Sequence, residues 1–250
     1  MKRILVTNDD GVRSEGLHVL ADALKRLGDV TIVAPQTEAS AIGHALTLRR
    51  PLRLECLGEK FYEVDGTPTD CVNIAITQIY TSKPDLIVSG INKGYNLGDD
   101  VTYSGTVAGA LEGALLGIPS IAVSLERTLD AYDFSPAAAA AAQVAEQVLP
   151  HGLSARRFLN INVPTGQPKG LRVTFQAKRN HVTVVSERLD PRNKPYYWIE
   201  EGEDSWEPHD RSDYQAVKDG YISVTPLQPD LTDHDALEEI AALLKQSTQV

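Results

Sequence analysis

A doubly wound, mostly parallel α/β sheet with a β-rich C-terminal arm and a terminal helix is the fold the sequence predicts, on three observations. Short apolar runs rich in β-branched residues recur at Ile4 to Val6, Val30 to Ala34, Leu86 to Val88 and Ile121 to Val123, as expected of strands buried on both faces. Between them lie stretches with apolar residues at helical spacing, so consecutive strands are parallel and joined by right-handed crossovers. After Pro164 the alternation stops, and extended segments separated by charged and Pro-containing turns take over. At 250 residues and 42% hydrophobic side chains, the chain suffices for an α/β domain, residues 1–165, with an appendage, residues 166–250.

The elements follow in order. The first strand runs into Thr7-Asn8-Asp9-Asp10-Gly11, a polar turn at its carboxyl end. Leu17, Leu20, Ala21, Leu24 and Leu27 mark a helix, with His18 beside the stripe and read as solvated. Val30 to Ala34 closes at Pro35, and Gln36 to Arg50 is a loop carrying Ser40, Gly43 and His44. Leu52 to Cys56 and Phe61 to Val64 form a hairpin, after which Thr67-Pro68-Thr69-Asp70 opens a helix with Pro in its first turn. Leu86 to Val88 runs into residues 89–100, where Gly90, Gly94, Gly98, Asn92 and Asn96 shape a loop suited to close approach. From Tyr103 a helix of small residues begins, capped by Ser104 or Thr106 and stopped by Gly117 and Pro119. Ile121 to Val123 is a strand, Pro136 to Val148 an alanine-rich helix and Phe158 to Val163 another strand. The arm offers Arg172 to Phe175, Val182 to Val185, Tyr196 to Ile199 and Tyr221 to Val224 as extended segments. Tyr196, Tyr197, Trp198 and Trp206 read as one aromatic cluster, packed within the arm or across a dimer interface. A helix at Leu237 to Leu244 follows.

Composition excludes some functions. The 24 basic and 34 acidic residues give a net charge of −10, which disfavours binding to nucleic acid polymers and anionic membranes. No apolar run reaches the roughly 18 residues of a membrane span, and no signal-peptide stretch is present. Cys56 and Cys71 have no metal-ligand spacing and lie in apolar surroundings, so a reduced, cytoplasmic protein is expected.

The carboxyl ends of parallel strands form the ligand edge of such a sheet. Successive loops deliver Asp9 and Asp10, then Ser40, then Asn92 and Asn96, then Ser104 and Thr106 to that edge. On the local sequence alone Asn8 to Gly11 reads equally well as a solvated turn. Two adjacent carboxylates held at such an edge, however, repel by several kcal/mol unless a cation lies between them. All the gathered groups are oxygen or amide donors, which select Mg²⁺, Mn²⁺ or Ca²⁺ over zinc. The N–H groups of a helix starting at Ser104 to Thr106 would accept an anion. Close packing explains Gly109 and Gly113 but not Ser-Gly-Thr at the mouth. Metal-assisted phosphoryl transfer or hydrolysis is the reaction class these groups suit.

Five motifs carry a resemblance: Asn-Asp-Asp-Gly at 8–11; Val-Ala-Pro at 33–35 followed by Ser40; Gly-Thr-Pro-Thr-Asp-Cys at 66–71; Ser-Gly-Ile-Asn at 89–92 with Asn96-Leu97-Gly98; and Tyr-Ser-Gly-Thr-Val at 103–107. Together they resemble the SurE survival-protein family, densely over residues 1 to about 125. The resemblance implies a 5′/3′-nucleotidase that hydrolyses nucleoside monophosphates to nucleoside and orthophosphate. It also implies one Mg²⁺ or Mn²⁺ per subunit on Asp9, Asp10, Ser40 and Asn92, and phosphate contacts from Asn96, Ser104, Gly105 and Thr106. Asp9 is then a candidate general base as well as a ligand. An arm exchanged between subunits of a homodimer or homotetramer is implied too. Ser14-Glu15-Gly16 stands where many relatives have Ala-Pro-Gly, and Ala41-Ile42-Gly43 follows Ser40; both departures bear on the rim. Two rival readings are an aspartyl-phosphate phosphatase, for which no partner lysine at a later strand end is evident, and a nucleotide-sensing binding protein without turnover.

Overall fold

The computed structural model describes residues 1–129, 131–180, 183–201 and 205–246. Ile4, Leu5 and Val6 of β1 (Arg3–Thr7) are inaccessible to solvent, which is why this run carries no polar alternation. After α1 (Glu15–Leu24) the chain enters β2 (Asp29–Pro35), and β3 (Leu54–Gly58) turns into β4 (Phe61–Val64) as an antiparallel hairpin. Next come α2 (Pro68–Ile74), which continues as a π-helical turn (Ala75–Ile79), β5 (Leu86–Lys93), a 3₁₀ turn (Gly98–Thr102) and α3 (Gly105–Leu115). The wound part closes with β6 (Ser120–Leu125), α4 (Ser135–His151) and β7 (Phe158–Val163).

β4, β2, β1, β5, β6 and β7 lie side by side and parallel, with β3 at one edge. α1 packs with α4 against one face and α2 with α3 against the other. The chain leaves β1 toward β2 and β4, then returns to β5 on β1's other side. The direction of winding thus reverses between β1 and β5, where such sheets open a crevice at the strands' carboxyl ends.

The expected division at residue 165 does not match the sheet. β8 (Leu171–Val173) and, after α5 (Asp213–Lys218), β13 (Ile222–Leu227) are strands of the same nine-stranded sheet; β13 runs antiparallel to β7 and parallel to β8. Ile222 and Val224 are buried against the wound core, which draws this segment back from the arm. β9 (Arg179–Asn180) pairs with β12 (Ser205–Trp206), and β10 (Thr183–Leu189) with β11 (Pro195–Glu201) as a separate hairpin. The expected strand at Val182 to Val185 begins outside the described residues, since Val182 is not among them. The aromatic residues form two groups, not one. Tyr196 meets Trp198 edge-on at 6.5 Å on β11, while Trp206 stacks flat on Tyr214 of α5 at 4.6 Å.

Helix α6 (Leu237–Gln246) ends the described chain. His18 is half-buried, its ring edge-on to Phe61 at 5.5 Å, because β4 adds to the sheet beside β2 and covers that side of α1; the solvated reading is corrected. Among the described residues no helix is long and apolar enough to cross a membrane.

Candidate active site

The site is built from the end of β1 outward. Gly11 turns the chain at φ +95°, and Val12 N–H donates to Pro35 O at 2.7 Å, tying the turn to the end of β2. Asp9 is only 4% exposed. Ala39 N–H donates to its backbone oxygen at 2.8 Å, and the Thr106 hydroxyl donates to Asp9 Oδ1. A Cβ on Gly105 would sit 2.8 Å from Asp9 Cβ and 2.9 Å from Asp9 Oδ2, so only glycine lets α3 begin against this carboxylate. Sequence reasoning reserved that space for an anion; the structure gives it to Asp9. Thr106 is likewise fully buried, with its hydroxyl holding Asp9. Ser104 caps α3, its Oγ accepting from Val107 N–H at 3.1 Å.

Asp10 is half-buried beside the end of β5, where the charge of Lys93, the last residue of that strand, acts on it. Between Ser89 and Asn92 the β5–β6 register shifts at Gly90 (φ +143°), where a Cβ would lie 2.4 Å from Val123 O. This irregularity carries the chain out of the sheet into the Asn92 to Gly98 loop. Asn92 Nδ2 donates to Gly94 O at 2.9 Å, which commits the nitrogen and leaves the amide oxygen for a cation. Ser40 is exposed, with its hydroxyl donating to Glu38 at 2.6 Å; the backbone of its neighbour Ala39 brings it to Asp9.

Asn96 belongs to a network that sequence reasoning missed. Its Nδ2 donates to Ser124 Oγ at 2.7 Å, its N–H donates to Asn162 Oδ1 at 2.8 Å, and its carbonyl accepts from Asn160 and Asn162 at 2.8 and 3.0 Å. The visible signal was Asn160 and Asn162 two apart in an otherwise apolar strand, where asparagine is disfavoured without a partner. A second missed group holds the Ser40 loop. His44 Nε2 meets Glu112 Oε2 at 2.7 Å, and Asn73 Nδ2 donates to Glu112 Oε1 at 2.7 Å. Burial pushes the Glu112 carboxyl up, but the hydrogen bonds from His44 and Asn73 outweigh it and leave it below its ordinary value.

Burial raises the Asp9 carboxyl to about 6; the Thr106 hydrogen bond opposes the rise and the Asp10 charge adds to it. Asp10 is raised as well, first by burial, against the attraction of Lys93 and with repulsion from Glu38. Asn8 Oδ1 and Asp10 Oδ2 are buried with no hydrogen-bond partner. Among the described residues no three His, Cys, Asp or Glu side chains converge. The donor set is therefore two carboxylates with amide and hydroxyl oxygens, which fits a hard divalent cation.

The family model described as Survival protein SurE matches residues 4–183. The chain belongs to the SurE family. It is 51% identical to 5′-nucleotidase SurE of Pelobacter propionicus over 240 residues, covering 95% of this chain and 97% of that protein. It is 49% identical to 5′-nucleotidase SurE 1 of Thermus thermophilus over 249 residues, covering 97% and 98%. The crystal structure of the SurE protein from Aquifex aeolicus superposes with a TM-score of 0.86 at 44% identity, covering 96% of this chain and 99% of that one. The central sheet is thus the SurE sheet, and its β1/β5 crevice holds the paired carboxylates.

Two outcomes follow from the Asp9 environment. Thr106→Val removes the hydroxyl that fixes Asp9, so affinity for Mn²⁺, read by calorimetry, should fall about 10- to 100-fold, and Thr106→Ser should restore most of it. The raised Asp9 carboxyl also has a stability sign. The unfolded group ionises near 3.8 and the folded one near 6, so the metal-free protein loses stability as pH rises through that window. At about 1.4 kcal/mol per pH unit the loss at neutral pH is on the order of 3 kcal/mol. Asp9→Asn should therefore melt higher than metal-free wild type at pH 7, an advantage that shrinks toward pH 4.

Proposed function

We propose that this SurE family member hydrolyses nucleoside 5′- and 3′-monophosphates to nucleoside and orthophosphate, with one Mg²⁺ or Mn²⁺ per subunit. The observation that carries the reading is the buried Asp9 carboxylate held by Thr106 at the start of α3, beside an Asp10 oxygen that has no partner. The relatives' names support the nucleotidase assignment, and the site supplies the chemistry.

Asp9, Asp10, Ser40 and Asn92 would hold the cation, which neutralises phosphate charge and lowers the pKa of a water that attacks phosphorus. The backbone N–H groups at the start of α3 would face the phosphate, where the helix dipole would stabilise the negative charge that grows in the transition state. The Ser104 oxygen is committed to capping, which leaves its O–H to donate to the anion. Asn96 is fixed at both its backbone and its amide, so its loop presents a rigid rim to the phosphate. Thr106 donates to Asp9 Oδ1, and the Asp9 carboxylate would act as a ligand to the cation or as the acceptor for the proton of the attacking water.

The arm belongs to the same proposal. Trp198 (56% exposed), Ile199 (82%), Leu243 (58%) and Leu244 (61%) present apolar surface that a second subunit would cover, giving a homodimer or homotetramer whose mass light scattering reads directly. A cytoplasmic location is supported by two cysteines that are both free thiols, Cys56 exposed and Cys71 buried.

Phosphate release from nucleoside monophosphates should be abolished by a chelator and restored by Mn²⁺ or Mg²⁺. Full turnover in excess chelator overturns the mechanism, and tight nucleotide binding without release identifies a sensor. With labelled substrate, acid quench should leave the protein unlabelled; label on Asp9 or Asp10 would establish an aspartyl-phosphate route.

A further inference from the structure

Gly98 lies two residues past Asn96 and opens the 3₁₀ turn that ends at Thr102, just before the Ser104 cap of α3. What fixes this glycine comes from far along the chain. Its N–H donates to Asp213 Oδ2 at 3.0 Å, and its carbonyl accepts from Gln176 Nε2 at 3.0 Å. At φ +49° a Cβ on Gly98 would lie 2.5 Å from Ala177 O, so only glycine admits the backbone that follows β8 this closely. Two residues further along both segments, Arg179 Nη1 donates to Asp100 Oδ1 at 2.7 Å. Asp213 itself is fully buried in the first turn of α5. Its other oxygen, Oδ1, accepts from Ala177 N–H at 2.8 Å and from Tyr214 N–H at 2.7 Å. Burial raises the carboxyl, and these N–H bonds oppose the rise. α5 does not need the acid for its own start, because Ser212 caps it, with Oγ accepting from Gln215 N–H at 3.2 Å.

We propose that Asp213 and Gln176 clasp Gly98 so as to position the span from Asn96 to Ser104 for the substrate phosphate, which makes Asp213 a positioning residue for the reaction. The proposal rests on the nucleotidase reading and adds what sets the place of its phosphate rim. A carboxylate suits the clasp because both of its oxygens accept, one toward Gly98 and one toward Ala177 and Tyr214. Asparagine would turn a donor toward one of those N–H groups. Asn96 is anchored from β6 and β7, and the clasp supplies the next fixed point along the span. From there the turn is stiff, with Thr102 Oγ1 donating to Asp99 O at 2.7 Å and Tyr103 N–H to Asp100 O at 3.1 Å. A shift at Gly98 therefore passes to Ser104, whose hydroxyl is one of the phosphate contacts. The body of α3 packs on β5, β6 and β7, which keeps Thr106 on Asp9, and Asp9, Asp10, Ser40 and Asn92 all lie outside the span. Loosening the clasp thus acts on phosphate and spares the cation's donors.

The test uses the full chain and compares Asp213→Asn and Gln176→Ala with Ser212→Ala, which weakens the start of α5 without removing a bond to Gly98. Three quantities are read: kcat/KM for adenosine 5′-monophosphate with Mn²⁺, Mn²⁺ affinity by calorimetry, and amide hydrogen exchange over residues 94–104. Asp213→Asn should lower kcat/KM about 10-fold or more and Gln176→Ala at least about threefold, each with Mn²⁺ affinity within about twofold of wild type. Exchange at Gly98 should quicken in both and stay unchanged in Ser212→Ala, which melts lower but keeps its turnover. Should Asp213→Asn fail to fold, Gln176→Ala carries the test alone, since its side chain is exposed. An active wild type whose two clasp variants stay within about twofold in kcat/KM overturns the clasp and spares the nucleotidase reading. A loss that Ser212→Ala matches, or that Mn²⁺ affinity follows in proportion, also overturns it, because a merely structural role would do the same. A wild type that releases no phosphate from the nucleotide overturns the nucleotidase reading, and the positioning role with it.

Discussion

Burying a carboxylate at the end of β1 constrains almost everything else at this edge. An ionised group out of water is costly unless it is paired and hydrogen-bonded, and the partners of Asp9 offset that cost only in part, since burial still raises its carboxyl. Thr106 donates to one oxygen, the α3 helix start lends its positive dipole end, and the second oxygen lies against Gly105. Bringing the helix start so close requires Gly105, because any Cβ there would enter Asp9 itself. The same closeness brings the loop after β2 down onto the Asp9 backbone, which positions Ser40. One buried charge thus ties together β1, β2 and α3, three elements far apart in sequence.

Two polar groups outside the ligand set keep the edge rigid. Asn160 and Asn162 project from β7 to hold the Asn96 backbone, while Ser124 of β6 holds its amide, so the loop after β5 is braced by the next two strands. His44 and Asn73 converge on Glu112, which lies seven residues after Gly105 and hence about 10 Å along α3 from the phosphate end. That distance assigns the pair to placing the loop, not to chemistry. Asp70 joins in, capping α2 through Thr67 while also accepting from Thr47 N–H at 3.0 Å. The long, largely exposed loop therefore keeps one position although it contributes little to the hydrophobic core.

Much of this was legible in the sequence because parallel strands buried on both faces leave uninterrupted apolar runs, and their carboxyl ends must share an edge. Ile4 to Val6 and Leu86 to Val88 locate Asp9, Asp10 and Asn92 without any tertiary information. What stayed hidden depends on direction or on distant pairing. Nothing in Ser104-Gly105-Thr106 says that the Thr106 hydroxyl turns inward to Asp9. The return of β13 beside β7 joins residues some 60 apart in sequence through a short apolar run that could equally have stayed in the arm. Trp206 parts from Tyr196 and Trp198 only because β12 pairs with β9, next to α5, while β11 pairs with β10. Glu112 within an otherwise apolar, small-residue helix and the two asparagines of β7 were readable signals of buried polar networks.

The electrostatics of the site explain why a phosphate monoester would need the cation here and not merely profit from it. A net charge of −10 matters little at a distance, since fields are screened within about 8 Å at physiological salt. Asp10 repels Asp9, Glu38 repels Asp10 and Lys93 attracts it, so carboxylates outnumber the ammonium among these groups, beside the roughly half-unit positive end of α3. A dianionic phosphate approaching that balance is repelled, and Asp9 answers in the metal-free protein by holding its proton up to about pH 6. A divalent ion held by these carboxylates would reverse the local sign and favour the ionised form of Asp9. The carboxylate pair and the helix start would then act on phosphate together, where without the cation they would act against each other.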